Sequence, residues 1–167
     1  MKASFLLTIL LFHSYVWSKT CGHKGTIEER IAECAETKGN FAQVYSDEKG
    51  REVYKDLKTG LIWSDRISND FNQYGSQKAC SEGFELDELS EFKWRLPKLA
   101  EYEEAARNGI KASFSNMDHA YWTSTPFKIR TRRKRAVLAG SFIWDATEEK
   151  TDNGGLKDGA SVRCVTK

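Results

Sequence analysis

The chain is poor in the residues on which most catalytic and metal sites are built. It holds 3 histidines and 4 cysteines among 167 residues, and one of those histidines, His13, lies in an N-terminal apolar segment. No two cysteines form a CxxC pair, which argues against a zinc site shared with His23. No GxSxG elbow is present, so the usual frame for a serine nucleophile is missing. Beyond residue 18 no apolar run is long enough to cross a bilayer. Neither sign of charge dominates either: 26 Lys and Arg stand against 24 Asp and Glu, a net +2. A general nucleic-acid binder is normally strongly basic, so nucleic acid is not expected as a partner. No internal repeat or low-complexity segment is visible.

What is present begins with a leader. In Met1–Ser18, Lys2 gives a positive start and Phe5–Phe12 an apolar stretch too short for a membrane span. Val16-Trp17-Ser18 suits cleavage after Ser18, and Ser18-Lys19-Thr20 is a poor site for a lipid anchor on Cys21. The mature protein is therefore expected to be soluble and exported, periplasmic or at the cell surface or beyond it. Losing Lys2 leaves a net charge of +1. The remaining length suits one domain with short extensions. In an oxidising compartment Cys21, Cys34, Cys80 and Cys164 imply two disulfides, with three pairings open.

Patterning predicts the elements. Thr26–Lys38 reads as a helix: Thr26 and Glu29 form a capping box, Ile27, Ile31, Cys34 and Ala35 share a face, and Gly39 closes the end. Phe41–Trp63 reads as strands joined by turns at Asp47–Gly50 and Lys58–Gly60. Asp65–Gly75 reads as a loop, Ser76–Gly83 as a short helix, and Phe84–Phe92 as an acidic irregular stretch. In Lys93–Gly109, Pro97 makes a corner and Leu99, Tyr102, Ala105 and Ala106 recur at helical spacing up to an Asn108-Gly109 stop. Ala120–Thr125, Ala136–Trp144 and Ala160–Val165 read as strands, with Asp145–Gly159 a long polar loop.

Five of these pieces together resemble a known family. Asp56–Trp63 (DLKTGLIW), Cys80, Trp94–Pro97 (WRLP), Tyr121–Thr125 (YWTST) and Val162–Val165 (VRCV) occur in order over about 53–165. They resemble the C-terminal domain of Legionella-type collagen-like adhesins, the Lcl C-terminal family. The corner-and-helix pattern is also similar to that of formylglycine-generating enzymes, whose fold is C-type-lectin-like. The resemblance implies an α+β, C-type-lectin-like domain over 53–167, with small twisted antiparallel sheets, two main helices and disulfides. Residues 19–52 would then be an N-terminal helical extension. It also implies a Cys80–Cys164 bridge, which leaves Cys21–Cys34 as a local one. By chain entropy these would contribute about 4–5 and about 3 kcal/mol. Two departures matter. Lys98 stands where formylglycine-generating relatives commonly carry a capping Thr, and Lys cannot accept that hydrogen bond. The enzymes' catalytic cysteine pair has no counterpart in Lys128–Arg163, so a non-enzymatic protein is expected, without cofactor.

The strongest functional signal is Arg130-Thr131-Arg132-Arg133-Lys134-Arg135, five cations in six residues beside a strand. Arg suits bidentate contacts to sulfate, phosphate or carboxylate, so a sulfated, uronic or phosphorylated surface glycan is the expected ligand class. The plainer reading is a solvated strand edge that resists edge-to-edge pairing. Tyr121 and Trp122 should point to opposite faces, which would leave one of them to stack on a ligand. His119, Asp118 and Ser124 form a triad only on paper, and Glu101, Glu103 and Glu104 suit a solvated helix face. Asp145, Glu148, Glu149, Asp152, Asn153 and Asp158 offer calcium-type oxygens, yet the Glu-Pro-Asn and Trp-Asn-Asp sugar motifs of C-type lectins are absent and no metal is expected. The competing reading is a protein-interaction subunit of an envelope or fibre assembly, using the N-terminal helix.

Overall fold

Thr26 opens the first helix as its sequence demands. Its hydroxyl accepts from Glu29 N at 3.3 Å, and Glu29 Oε2 accepts from Thr26 N at 2.7 Å, satisfying two of the donors a helix start leaves orphaned. The computed structural model describes residues 20–67, 71–82, 86–130, 136–146, 150–155 and 159–167; the expected leader, Met1–Ser18, lies outside them. Helix α1 covers Ile27–Cys34, not the stretch to Lys38. Ala35 turns left-handed with φ 52°, and its N–H returns to Ile31 O. The next residues, Thr37–Lys38, become strand β1.

Strand β2 (Phe41–Ser46) pairs with β1 and with β3 (Glu52–Asp56), and β3 pairs with β4 (Ile62–Arg66). Aspartates fix both turns. Asp47 Oδ1 accepts from Lys49 N and Arg51 N, and Asp56 Oδ1 accepts from Lys58 N, the local bonding that favours Asx turns. All six residues of β2 are buried. Besides α1, residues 19–52 hold β1, β2 and the first residue of β3, and the expected boundary at 52/53 falls inside β3.

Helix α2 (Gln73–Glu82) follows, beginning three residues before Ser76. A 3-10 turn, Asp87–Leu89, sits in the acidic stretch and is held by buried Leu86 and Leu89. Helix α3 (Leu99–Asn108) ends at Gly109 with φ 94°, as its periodicity predicts, and the short α4 (Ile110–Ser113) comes next. Strands β5 (Ala120–Arg130), β6 (Ala136–Asp145) and β7 (Lys150–Gly155) form a three-stranded antiparallel sheet. The presence of β7 corrects the expectation of a continuous loop over Asp145–Gly159. Finally β8 (Arg163–Thr166) pairs antiparallel with β4 and completes the larger sheet, β1-β2-β3-β4-β8. The described protein is thus α+β with antiparallel sheets, four helices and two disulfides, Cys21–Cys34 and Cys80–Cys164.

The sheets divide two cores. Neighbouring residues alternate between them, as side chains on a strand must. Ile62, Val53, Trp122 and Cys164 join the core beneath α2. Trp63, Tyr54, Tyr121 and Val165 join the one beneath α3. In β2 the register shifts between Gln43 and Tyr45, and this lets the successive residues Val44 and Tyr45 both enter the first core.

Candidate functional site

The basic run is placed by the β5–β6 hairpin. Its ladder runs from Ala120↔Asp145 to Arg130↔Ala136. Arg130 is the last residue of β5, and Thr131, Arg132, Arg133, Lys134 and Arg135 lie outside the described residues, between the two strand ends. The base of this hairpin is well fixed. Trp122 N donates to Ser161 O at 3.0 Å and Ser124 N to Pro97 O at 2.7 Å, while Trp122 Nε1 donates to Phe71 O at 2.6 Å. Pro126, next along the strand, is exposed.

Tyr121 and Trp122 do point to opposite faces, but both are 0% exposed. Each face of the strand meets one of the two cores, so neither ring is available to stack on a ligand. The stacking expectation is corrected accordingly. Thr125 Oγ1 accepts from Leu99 N at 2.8 Å, supplying to α3 the cap that Lys98 cannot. Glu101 accepts from Lys98 N at 2.7 Å and from both Arg95 terminal nitrogens at 2.7 and 2.8 Å. Burial alone would raise the Glu101 carboxyl pKa, but the bonds from Arg95 and Lys98 outweigh it and hold the group below the ordinary glutamate range. Glu104 pairs with Arg107 at 2.6 Å.

The paper triad is not assembled. His119 Nε2 meets Asp118 at 3.1 Å, whereas Ser124 Oγ donates to Pro97 O at 3.1 Å. Of the expected oxygen set, Asp145 pairs with Lys150, Asp152 with Ile143 and Asn153 with Phe142 along the β6–β7 ladder. Glu148, Glu149 and Asp158 lie outside the described residues. Among the described residues no three His, Cys, Asp or Glu side chains gather as a metal site.

A second location was not visible in the sequence. A cleft of about 520 Å³ opens between the Cys21 segment, the β2–β3 turn and the 3-10 turn, lined by Thr20, His23, Tyr45, Arg51, Leu86 and Glu88, with Asp47, Glu48 and Lys49 at its turn side. Arg30, only 4% exposed, clamps its walls. It donates to Gly22 O at 2.9 Å and Gly25 O at 3.1 Å on one side, and to Glu88 O at 2.8 Å and Glu91 Oε1 at 3.1 Å on the other. The Cys21–Cys34 bridge and the Cys21–Ser46 backbone pair, at 3.0 and 3.1 Å, hold the same segment against β2.

Within the cleft the polar groups are set against one another. Tyr45 donates to Glu88 Oε2 at 3.4 Å, and His23 Nδ1 lies 3.5 Å from Glu88 Oε1. The His23 ring meets Tyr45 edge-on at 5.4 Å. Burial, with help from the Glu88 and Asp47 charges, pushes the Tyr45 hydroxyl up to about 12, so it remains a donor at neutral pH. A bond from its own backbone N–H is the main cause that holds Glu88 below the ordinary glutamate value; burial opposes it, and His23 and Tyr45 add to the lowering. Arg51 is fixed by Asp47, with Nε and Nη2 each 2.6 Å from Oδ2. The cleft draws on segments around residues 20, 50 and 88, and no local motif links them.

Comparison with family models, with curated proteins and with solved structures found no match to this chain.

Proposed function

We propose that the protein is an exported, non-enzymatic binding module of C-type-lectin-like architecture that recognises a surface glycan or other anionic polymer. The observation that carries this reading is the position of the five-cation run. Arg130 ends β5, a strand fastened into the core at its other end by Trp122 and Ser124, and the other four cations precede β6, its antiparallel partner, in the sequence. Clustering charge on one connection creates a local positive field that the near-neutral chain as a whole does not have. Supporting the architecture, Cys80 on α2 is bonded to Cys164 on β8, the pairing that the likeness to the Lcl C-terminal family implies. Export is supported by the two disulfides, which persist in oxidising compartments.

The test is binding of Lys19–Lys167 to heparin and to a neutral dextran across a salt series. Heparin affinity should fall steeply between about 0.05 and 0.5 M salt, as screened charge pairs require. Replacing Arg130, Arg132, Arg133, Lys134 and Arg135 by Gln should weaken it about tenfold or more and flatten the salt slope. Unchanged heparin affinity in that variant would remove the cluster from the function.

A further inference from the structure

The cleft at His23, Arg51 and Glu88 is chemically unlike the cationic hairpin. Its volume of about 520 Å³ lies within the range of small-molecule sites. Its charged lining is mixed: Asp47, Glu48 and Glu88 against Lys49 and Arg51. An anion entering it meets three carboxylates, and a cation meets two basic groups. A neutral ligand meets neither penalty.

The polar groups are also held in place before any ligand arrives. Glu88 is an acceptor steadied by Tyr45 and His23, and its main chain is gripped by Arg30. Arg51 is a donor steadied by Asp47, with part of its five-donor fork left over. A hydroxyl group both donates and accepts, so the hydroxyls of a saccharide can supply a donor to Glu88 and an acceptor to Arg51. The His23 ring, 39% exposed, belongs to the same lining and suits the C–H face of a sugar. Fixed donors and acceptors avoid the ordering cost that a flexible site incurs on binding.

We propose that this cleft binds one unit of a neutral saccharide, with Glu88 and Arg51 engaging its hydroxyls and His23 covering the ring face. The inference does not depend on the cationic hairpin, because its ligand carries no charge.

The experiment is NMR titration of Lys19–Lys167 with glucose, galactose, mannose, N-acetylglucosamine, cellobiose, lactose and chitobiose, run beside heparin. At least one neutral probe should shift the signals of His23, Tyr45 and Leu86, with equal affinity at about 0.05 and 0.5 M salt because no ion pair forms. Glu88→Gln and Arg51→Met should each weaken that binding about tenfold, the loss expected when a hydrogen bond to a charged group is removed. Both variants are first checked by thermal melting, and His23→Ala, at a half-exposed position, replaces either one that fails to fold. The proposal is overturned if no neutral probe moves these signals, if they respond to heparin alone, or if the folded variants bind as the parent does.

Discussion

Thr125 performs for α3 the task that residue 98 cannot. Its hydroxyl reaches the first helical N–H from another strand, while Glu101 satisfies Lys98 N from within the helix. Thr125→Val keeps the shape and removes the acceptor, so it should lower unfolding free energy by about 1 kcal/mol in urea titration. No loss would mean that water replaces the hydroxyl without cost. The sequence shows that the usual cap is missing but not where its replacement comes from, because the bond spans 26 residues. Arg163 is equally hidden. In the terminal VRCV it reads as an ordinary strand residue, yet it is 0% exposed, lies 3.8 Å over the Phe114 ring and donates to Ser64 O and Asn116 Oδ1. Only tertiary packing reveals it.

Among the elements, α3 was legible from end to end because a corner, a 3.6-residue period and a glycine stop all agree. Helix α1 was legible only at its start. Its end depends on Ala35 taking a left-handed conformation, which costs a residue with a Cβ about 1–2 kcal/mol, and no sequence rule points to Ala there. Ala35→Gly should remove that strain. After the added entropy of glycine in the unfolded chain, it should stabilise the protein by about 0.5–1 kcal/mol. A raised melting temperature is the expected readout, and a lowered one would show that the Ala35 methyl contributes packing that outweighs the strain. Strand β7 was missed for a different reason. Its sequence, KTDNGG, has neither β-branched alternation nor apolar residues, and it is a strand because β6 offers it an open edge to pair with. The opposed faces of Tyr121 and Trp122 were readable from period 2, whereas their joint burial was not, since it requires a core on each side of β5.

For the whole molecule, the resemblance-based bridges Cys80–Cys164 and Cys21–Cys34 agree with the structure, and they should differ in weight. They close separations of 84 and 13 residues. Replacing Cys80 and Cys164 together by Ala should cost about 4–5 kcal/mol, and replacing Cys21 and Cys34 about 3. Urea unfolding of the two double variants reads the order directly, and the reverse order would contradict the loop-entropy account. The cleft could not be read at this scale from sequence, because three distant segments meet only after the sheet and Arg30 have gathered them. The pairing of β4 with β8 has one more consequence. Cys164 N donates to Ser64 Oγ across 100 residues, so β4 has no partner on that side until a hundred more residues have been made. At about 5–20 residues per second, the ribosome takes several seconds to supply it. During that interval the nascent chain lacks Cys164 and Val165 and can complete neither core.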